Sequence, residues 1–420
     1  MASAGEASAH EMPEVSFADL GQRLRIDERR IPIEGTVETT FRCNLRCAHC
    51  YVNEPAGSAE VAARELPLPR ILELIDEVAE AGCLFLLFTG GEVLVRPDFP
   101  AMYLHALRRG LMVTVFTNGT LVTEAIADLF DEYRPDAVEI SLYGMTRETY
   151  ERVTQVPGSY DKCIAGVSRL VSRGVPVRLK TMALTWNHHE IRAMEEYARG
   201  LGLPFRFDSL LNPRVDCGAN RNGELQLSPE QSIALDLEDP ERMRELKAFC
   251  EQFTRPDVER GSDQVYNCGA GQRSFTIDPY GQLQMCQLSR KTGFDVRQQS
   301  FARGWNEHFP ELRARKWQSN SVCRSCSLLS LCGSCPGANE MENGDVEALV
   351  PQFCELTHLR AHAAMGDSWG HRRDATCCLG GRSRVPREEA PAPAPGGCGS
   401  CGGHAEPAGG LIRLQVARRR

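Results

Sequence analysis

A chain of 420 residues, 42% of them apolar, can bury one large core, or a main domain of roughly 200 residues and a second unit. Its net charge of −8, spread over mixed signs, gives no reason to expect a nucleic-acid partner, and the closing Arg418-Arg419-Arg420 is too short to change that. The longest apolar stretches, 84–88 and 111–116, are strand-length and far short of the ~20 residues that cross a bilayer; residues 1–30 lack the basic start and apolar stretch of a signal peptide, so the expected address is the cytoplasm, without a membrane partner.

In chain order, an N-terminal extension (1–34) leads into alternating strand-like and helical runs from 35 to 227. The pattern predicts strands at 36–41, 84–89, 112–117, 137–142, 175–184 and 204–210, with helices at 68–81, 98–109, 122–132, 159–173 and 188–200. Gly110 and Gly174 stand where a helix turns into the next strand, a place for a left-handed cap. Six β/α units in series predict an α/β fold, a partial (β/α)6 barrel of the TIM type with its functional groups at the C-terminal strand ends. A helical linker (228–264) with a charged stretch at 229–254 follows, then a cysteine-rich unit (265–371) and a Pro/Ala/Gly-rich tail (372–420) that cannot bury a core.

Eighteen cysteines are the composition's outlier, and in a large intracellular chain clustered thiols read as metal ligands sooner than as disulfides. Directly after the first strand, "FRCNLRCAHC" spaces Cys43, Cys47 and Cys50 as C-x3-C-x2-C, one thiol short of a closed site. Three thiolates can hold three irons of a 4Fe-4S cube and leave the fourth iron open to a small molecule. A zinc site that borrows a fourth ligand such as His49 is the rival reading. "TGGE" (Thr89 to Glu92) closes the second strand, "TNG" (Thr117 to Gly119) the third and "SLYG" (Ser141 to Gly144) the fourth. Each alone is an ordinary loop sequence; four in strand order are a pattern.

That pattern resembles the radical S-adenosylmethionine (SAM) superfamily, whose signature is C-x3-C-x-aromatic-C, with His49 at the aromatic position. The resemblance implies that the methionyl group of SAM chelates the open iron, and that reductive cleavage gives a 5′-deoxyadenosyl radical that abstracts a substrate hydrogen. It also implies SAM contacts from Gly90, Gly91, Glu92, Asn118 and Ser141. Lys180 and Asn187, at and beyond the fifth strand, are further candidates, each with a structural role as the alternative.

In the second unit, Cys268 and Cys286 bracket a hairpin whose turn is Asp278 to Gly281, and "CRSCSLLSLCGSC" adds Cys323, Cys326, Cys332 and Cys335 ahead of Cys354. A zinc ribbon is one reading of such pairs. The arrangement resembles the SPASM extension of radical SAM enzymes, which carries auxiliary 4Fe-4S clusters, although the gap between Cys332 and Cys335 is one residue shorter than usual. The resemblance implies one cluster on Cys323, Cys326, Cys332 and Cys354 and another on Cys268, Cys286 and Cys335. The set of three leaves an open iron or is completed by Asp278, Cys250 or Cys217, with an exposed turn role expected for Asp278. Cys83 and Cys163 read as small core residues, and Cys377, Cys378, Cys398 and Cys401 as part of the tail.

Enzymes with this extension mostly modify ribosomally made peptides, mature other enzymes or build peptide-derived cofactors. Gln287 stands where the sulfatase-maturing branch has an Asp, which argues against that branch. The leading expectation is therefore a peptide maturase that installs a crosslink or related modification, with an electron donor such as flavodoxin or ferredoxin. The 34 residues before the first strand cannot hold a PqqD-like domain, so a leader-binding module would be a separate protein. An enzyme acting on a small metabolite or in cofactor biosynthesis, and a non-enzymatic iron-sulfur carrier, are the alternatives.

Overall fold

Six strands run parallel in one sheet, and what sets their order is burial on both faces. The computed structural model describes residues 26–52, 54–215, 222–253, 263–326 and 328–366; Cys217 and the four tail cysteines lie outside them. The strands are β1 (Glu34–Thr40), β2 (Phe85–Gly90), β3 (Met112–Thr117), β4 (Ala137–Ser141), β5 (Val177–Met182) and β6 (Phe205–Asp208), each pairing in parallel with the next. Helices α1 (Leu68–Glu80), α2 (Phe99–Arg108), α3 (Glu124–Glu132), α4 (Arg147–Thr154), α5 (Ser159–Ser172) and α6 (Ile191–Gly200) lie between them. α1 buries Ile71, Leu74, Ile75 and Val78, one stripe at helical spacing, and α2 buries Phe99, Met102, Tyr103 and Ala106. Leu86 and Phe88, Val113 and Val115, Val138 and Ile140, and Val177 and Leu179 join those stripes in one apolar core. By alternation, Glu139, Arg178 and Lys180 therefore face the concave side. This is the partial (β/α)6 barrel that the alternation predicts.

Three findings depart from the sequence reading. A helix the periodicity missed, α4, follows "SLYG"; it is capped by Thr146, which accepts from the Thr149 amide, and its sequence RETYERVT has no continuous apolar stripe. The expected single helical stretch at 229–254 is two helices, α7 (Pro229–Leu237) and α8 (Pro240–Phe253), because Pro240 has no N–H to continue the ladder and suits a first turn instead. The hairpin of the cysteine-rich unit, β7 (Ser274–Ile277) and β8 (Gln282–Gln284), does not stand apart. β7 pairs in parallel with β1, and β8 and β9 (Phe294–Asp295) extend the sheet to the order β9-β8-β7-β1-β2-β3-β4-β5-β6 among the described residues. Helices α9 (Pro336–Asn343) and α10 (Pro351–Met365) close the described chain, α10 packing on α7 and α8. No described helix is long and apolar enough to cross a membrane.

Candidate active site

The loop after β1 carries the first three cysteines and is fixed from both sides. The Arg46 and Ala48 amides donate to the carbonyls of Thr154 and Val153 at the end of α4, 3.0 and 2.9 Å away. From below, Arg42 donates twice to Glu65 at 2.9 Å, and Arg96, paired with Asp98, donates to the carbonyls of Thr39 and Leu66 at 3.1 Å. The residue next to the first cysteine is therefore held by a buried ion-pair network before any ligand binds.

The thiols of Cys43, Cys47 and Cys50 feel one another's charge. Burial pushes Cys43 up to about 12, helped by Glu92, and raises Cys47 well above the usual thiol range. Thiols gathered where burial disfavours the charged form of Cys43 and Cys47 suit a cationic metal centre, which stabilises thiolates. Two donors already aim at Cys43 Sγ: the Leu45 amide at 3.4 Å and Asn118 Nδ2 at 3.7 Å. Among the described residues no three His, Cys, Asp or Glu are gathered as a single ion requires. His49, the fourth ligand of the zinc reading, instead packs edge-on against Tyr143 at 4.9 Å, and burial lowers it to about 4, so its ring is neutral.

The strand-end motifs converge on this loop. Gly90 has φ +129°, and a Cβ there would lie 2.2 Å from the Thr40 carbonyl; at Gly91 it would lie 2.5 Å from that of Arg42. The two glycines thus let the β2 end lie directly on the cysteine loop. Glu92 is fully buried and joins two motifs, accepting from Leu94 N (3.1 Å), Thr117 Oγ1 (2.7 Å) and Asn118 N (2.7 Å). Burial raises its carboxyl against the pull of these bonds. Asn118 also donates to Asn44 Oδ1 at 2.9 Å, and Asn44 donates to Thr120 Oγ1 at 2.8 Å, so "TNG" is laced to the cysteine loop. Ser141 ends β4, two residues before Tyr143, whose ring meets His49.

Asn187 is a structural residue: its Oδ1 accepts from Leu184 N at 2.8 Å and its Nδ2 donates to the carbonyls of Met182 and Tyr143 at 3.0 and 3.2 Å. Glu190, which the sequence reading missed, takes the amides of Met145 and Thr146 and the hydroxyls of Thr146 and Thr149, pinning "SLYG" to α4. Lys180 pairs with buried Glu139 at 3.6 Å.

The second unit's cysteines fall into two groups in space. Cys323, Cys326, Cys332 and Cys354 line one cavity with Leu328, Thr357 and His358. Burial pushes Cys332 up to about 11 and Cys286 up to about 12, and the charges nearest Cys286 are Cys335 and Cys268. Cys335 stands at the N-cap position of α9. Of the candidates for a fourth ligand, Cys250 on α8 stands beside Glu251 of the same helix and Arg360 of α10.

Asp278 is not the exposed turn residue expected: it is 1% exposed. Its Oδ1 accepts from the amides of Tyr280 (2.9 Å) and Gln282 (2.8 Å), and it faces Arg290. Arg290 in turn forms a two-pronged pair with Glu38 of β1 at 2.9 Å. A charged residue in the middle of a strand buried on both faces was the one available sign of this pair. Cys83 and Cys163 are buried in the apolar core.

Residues 37–199 match the radical SAM superfamily, and residues 268–327 match an iron-sulfur cluster-binding domain, SPASM. A PqqA peptide cyclase of Granulibacter bethesdensis is 26% identical over 351 residues, 82% of this chain and 92% of that protein. An AdoMet-dependent heme synthase of Methanosarcina barkeri is 27% identical over 330 residues, 73% and 92% of the two chains. The fold is like that of Streptococcus suis SuiB bound to its precursor peptide SuiA, with a TM-score of 0.60 at 15% identity, covering 90% of this chain and 84% of that one.

Proposed function

This chain belongs to the radical SAM superfamily and carries the SPASM extension, and on that premise we propose that it is a ribosomal peptide maturase that abstracts a hydrogen from a peptide to install a crosslink or related modification. Its cofactors are 4Fe-4S clusters and SAM; when bound, a cluster chelated by SAM supplies reductive cleavage of SAM and, through it, hydrogen abstraction. Cys43, Cys47 and Cys50 would hold that cluster. Cys323, Cys326, Cys332 and Cys354 would hold one auxiliary cluster, and Cys268, Cys286 and Cys335 a second. Gly90 and Gly91 bring the strand end onto the cysteine loop, while Glu92, Asn118 and Ser141 line the edge along which SAM would lie. Electrons would come from a flavodoxin or ferredoxin, and a PqqD-like protein would present the leader of the peptide.

The observation that carries this reading is the gathering of ten cysteines into three separate groups, one of them at the mouth of a barrel whose strand-end motifs all reach it. A carrier of clusters has no use for Glu92 and Asn118 laced to that mouth. The likeness to a peptide cyclase over 92% of that protein's length supports a peptide as substrate. The comparable likeness to a heme synthase supports the second reading, a small metabolite or cofactor precursor. Anaerobic incubation with SAM, a strong reductant and candidate precursor peptides, read by peptide mass and 5′-deoxyadenosine, decides between them. A SAM-dependent mass change in a peptide is the expected result; SAM cleavage coupled only to a small molecule would replace it with the second reading.

A further inference from the structure

The concave face of β4, β5 and β6 carries a charge cluster that neither SAM cleavage nor cluster binding uses. Glu139 of β4 is 2% exposed and meets three cations: Arg206 Nη2 at 2.6 Å, Lys180 Nζ at 3.6 Å and Arg178 Nη1 at 3.6 Å. Burial would raise the Glu139 carboxyl, yet Lys180, Arg206 and Arg178 together hold it below the usual range. Among the described residues the one further carboxylate paired with these cations is Asp136, 3.2 Å from Arg178 Nη2. Asp208, two residues beyond Arg206, accepts from the Leu210 amide on Oδ1 at 3.0 Å. Three cations thus share two carboxylates, and burial together with Arg206 pulls Lys180 well below the usual lysine range.

Two observations say that the cluster is unfinished. Arg178 Nη1 is buried with no hydrogen-bond acceptor, a costly state for a guanidinium nitrogen. The Arg206 and Arg178 side chains nevertheless remain 38% and 30% exposed, so an incoming group can reach them. The register fixes where this happens: Lys180 pairs directly with Ser141 on one side and Arg206 on the other. Lys180 and Arg206 therefore lie in the strand row that ends beside the SAM edge, where a substrate must come to lose a hydrogen, and Arg178 lies two residues earlier, opposite Glu139.

We propose that Lys180, Arg206 and Arg178 form a subsite for a carboxylate of the substrate, resting on the reading that this substrate is a peptide. A planar carboxylate suits it because Arg206 offers a fork to one side and Lys180 a point charge above the Phe116 ring on the other. Glu139 then acts as the fixed counter-charge that holds the three cations together and keeps the subsite from binding anions too tightly to release.

The test is binding without turnover, on the reconstituted enzyme with SAM and no reductant. The probes are acetyl-Gly-Glu-Gly-amide, its Gln counterpart, and acetyl-Gly-Gln-Gly with a free C-terminus, followed by ligand-observed NMR. The Glu probe is expected to bind about tenfold more tightly than the Gln probe; preference for the free C-terminus instead would assign the same subsite to a chain end. Lys180→Met should reduce the preference severalfold, Lys180→Arg should restore it, and Glu139→Gln should tighten the Glu probe, a change opposite in sign to any loss of folding. Equal affinity of all three probes, no saturable binding by any, or a preference that survives Lys180→Met together with Arg206→Gln would overturn the proposal. Failure of the enzymatic reading itself would appear elsewhere, as absence of 5′-deoxyadenosine from the wild-type enzyme when reductant is added.

Discussion

The barrel and the 318–358 part of the cysteine-rich unit differ in cohesion, whereas the unit's first part shares the barrel's sheet and, through Phe275, Phe301 and Phe309, its apolar core. In the barrel, every strand contributes aliphatic or aromatic side chains to a core closed by helices, with Phe88, Phe99, Tyr103 and Phe130 fully buried. Among the described residues of 318–335 the chain forms one short turn of helix, Val322–Ser325, and the cavity it wraps sets four thiols among Leu328, Leu329 and Leu349. A hydrophobic core stabilises by itself; a cavity of thiols has little to gain until something binds them. The difference teaches where to look: the barrel has packing enough to fold on and prepare a site, whereas on the proposed reading the 318–358 segment would be completed by a cluster.

The largest effect expected from this contrast follows from removing the clusters. In apo protein, amide exchange across 318–358 should rise at least about tenfold while β2, β3 and β4 stay protected. Hydrogen-exchange mass spectrometry of holo and apo protein checks this; equal loss in both regions would break the contrast. Next is Gly90→Ala, which strains a φ of +129° and drives a Cβ to 2.2 Å from the Thr40 carbonyl. It should cost about 2–4 kcal/mol and lower the melting temperature of the barrel even without clusters, since this packing needs none.

A smaller, signed effect tests the junction. Burial raises Glu38 to about 7 and Asp278 to about 6, each against the pull of Arg290. A carboxyl whose folded pKa lies above its unfolded value binds more protons when folded, so its contribution to stability falls as pH rises from about 4.5 to about 7. Thermal melts of wild type and Glu38→Gln between these limits and pH 8 should therefore show wild type losing ground to the variant as pH rises. A constant or widening advantage for wild type would mean that Glu38 is ionised throughout and that the junction is a plain ion pair.

The same contrast governs how much the sequence revealed. The six strands were legible because a parallel strand buried on both faces is a short apolar run between turn signals; of the cysteine sets, only the Cys43, Cys47 and Cys50 triplet is marked by local spacing, the other two being implied by the resemblance to the SPASM extension. What escaped depends on distant partners. Glu38 and Arg290 are 252 residues apart, and nothing in "DPYG" tells that Asp278 is buried beneath Arg290. The pairing of β7 with β1 is likewise invisible to periodicity, since a three- or four-residue strand carries the same pattern wherever it docks. Helix α4 was missed for a different reason: it buries Thr149, Tyr150, Val153 and Thr154, a polar stripe that reads as loop.

The most direct test of the account is the partition of iron between the two regions. Anaerobically reconstituted wild type should carry three 4Fe-4S clusters, about twelve irons. The joint variant Cys43→Ala, Cys47→Ala and Cys50→Ala should keep about eight irons, measured with acid-labile sulfide and Mössbauer spectra, and should form no 5′-deoxyadenosine from SAM and a strong reductant. About four irons with stoichiometric zinc in the wild type, or 5′-deoxyadenosine formed by the variant, would contradict it.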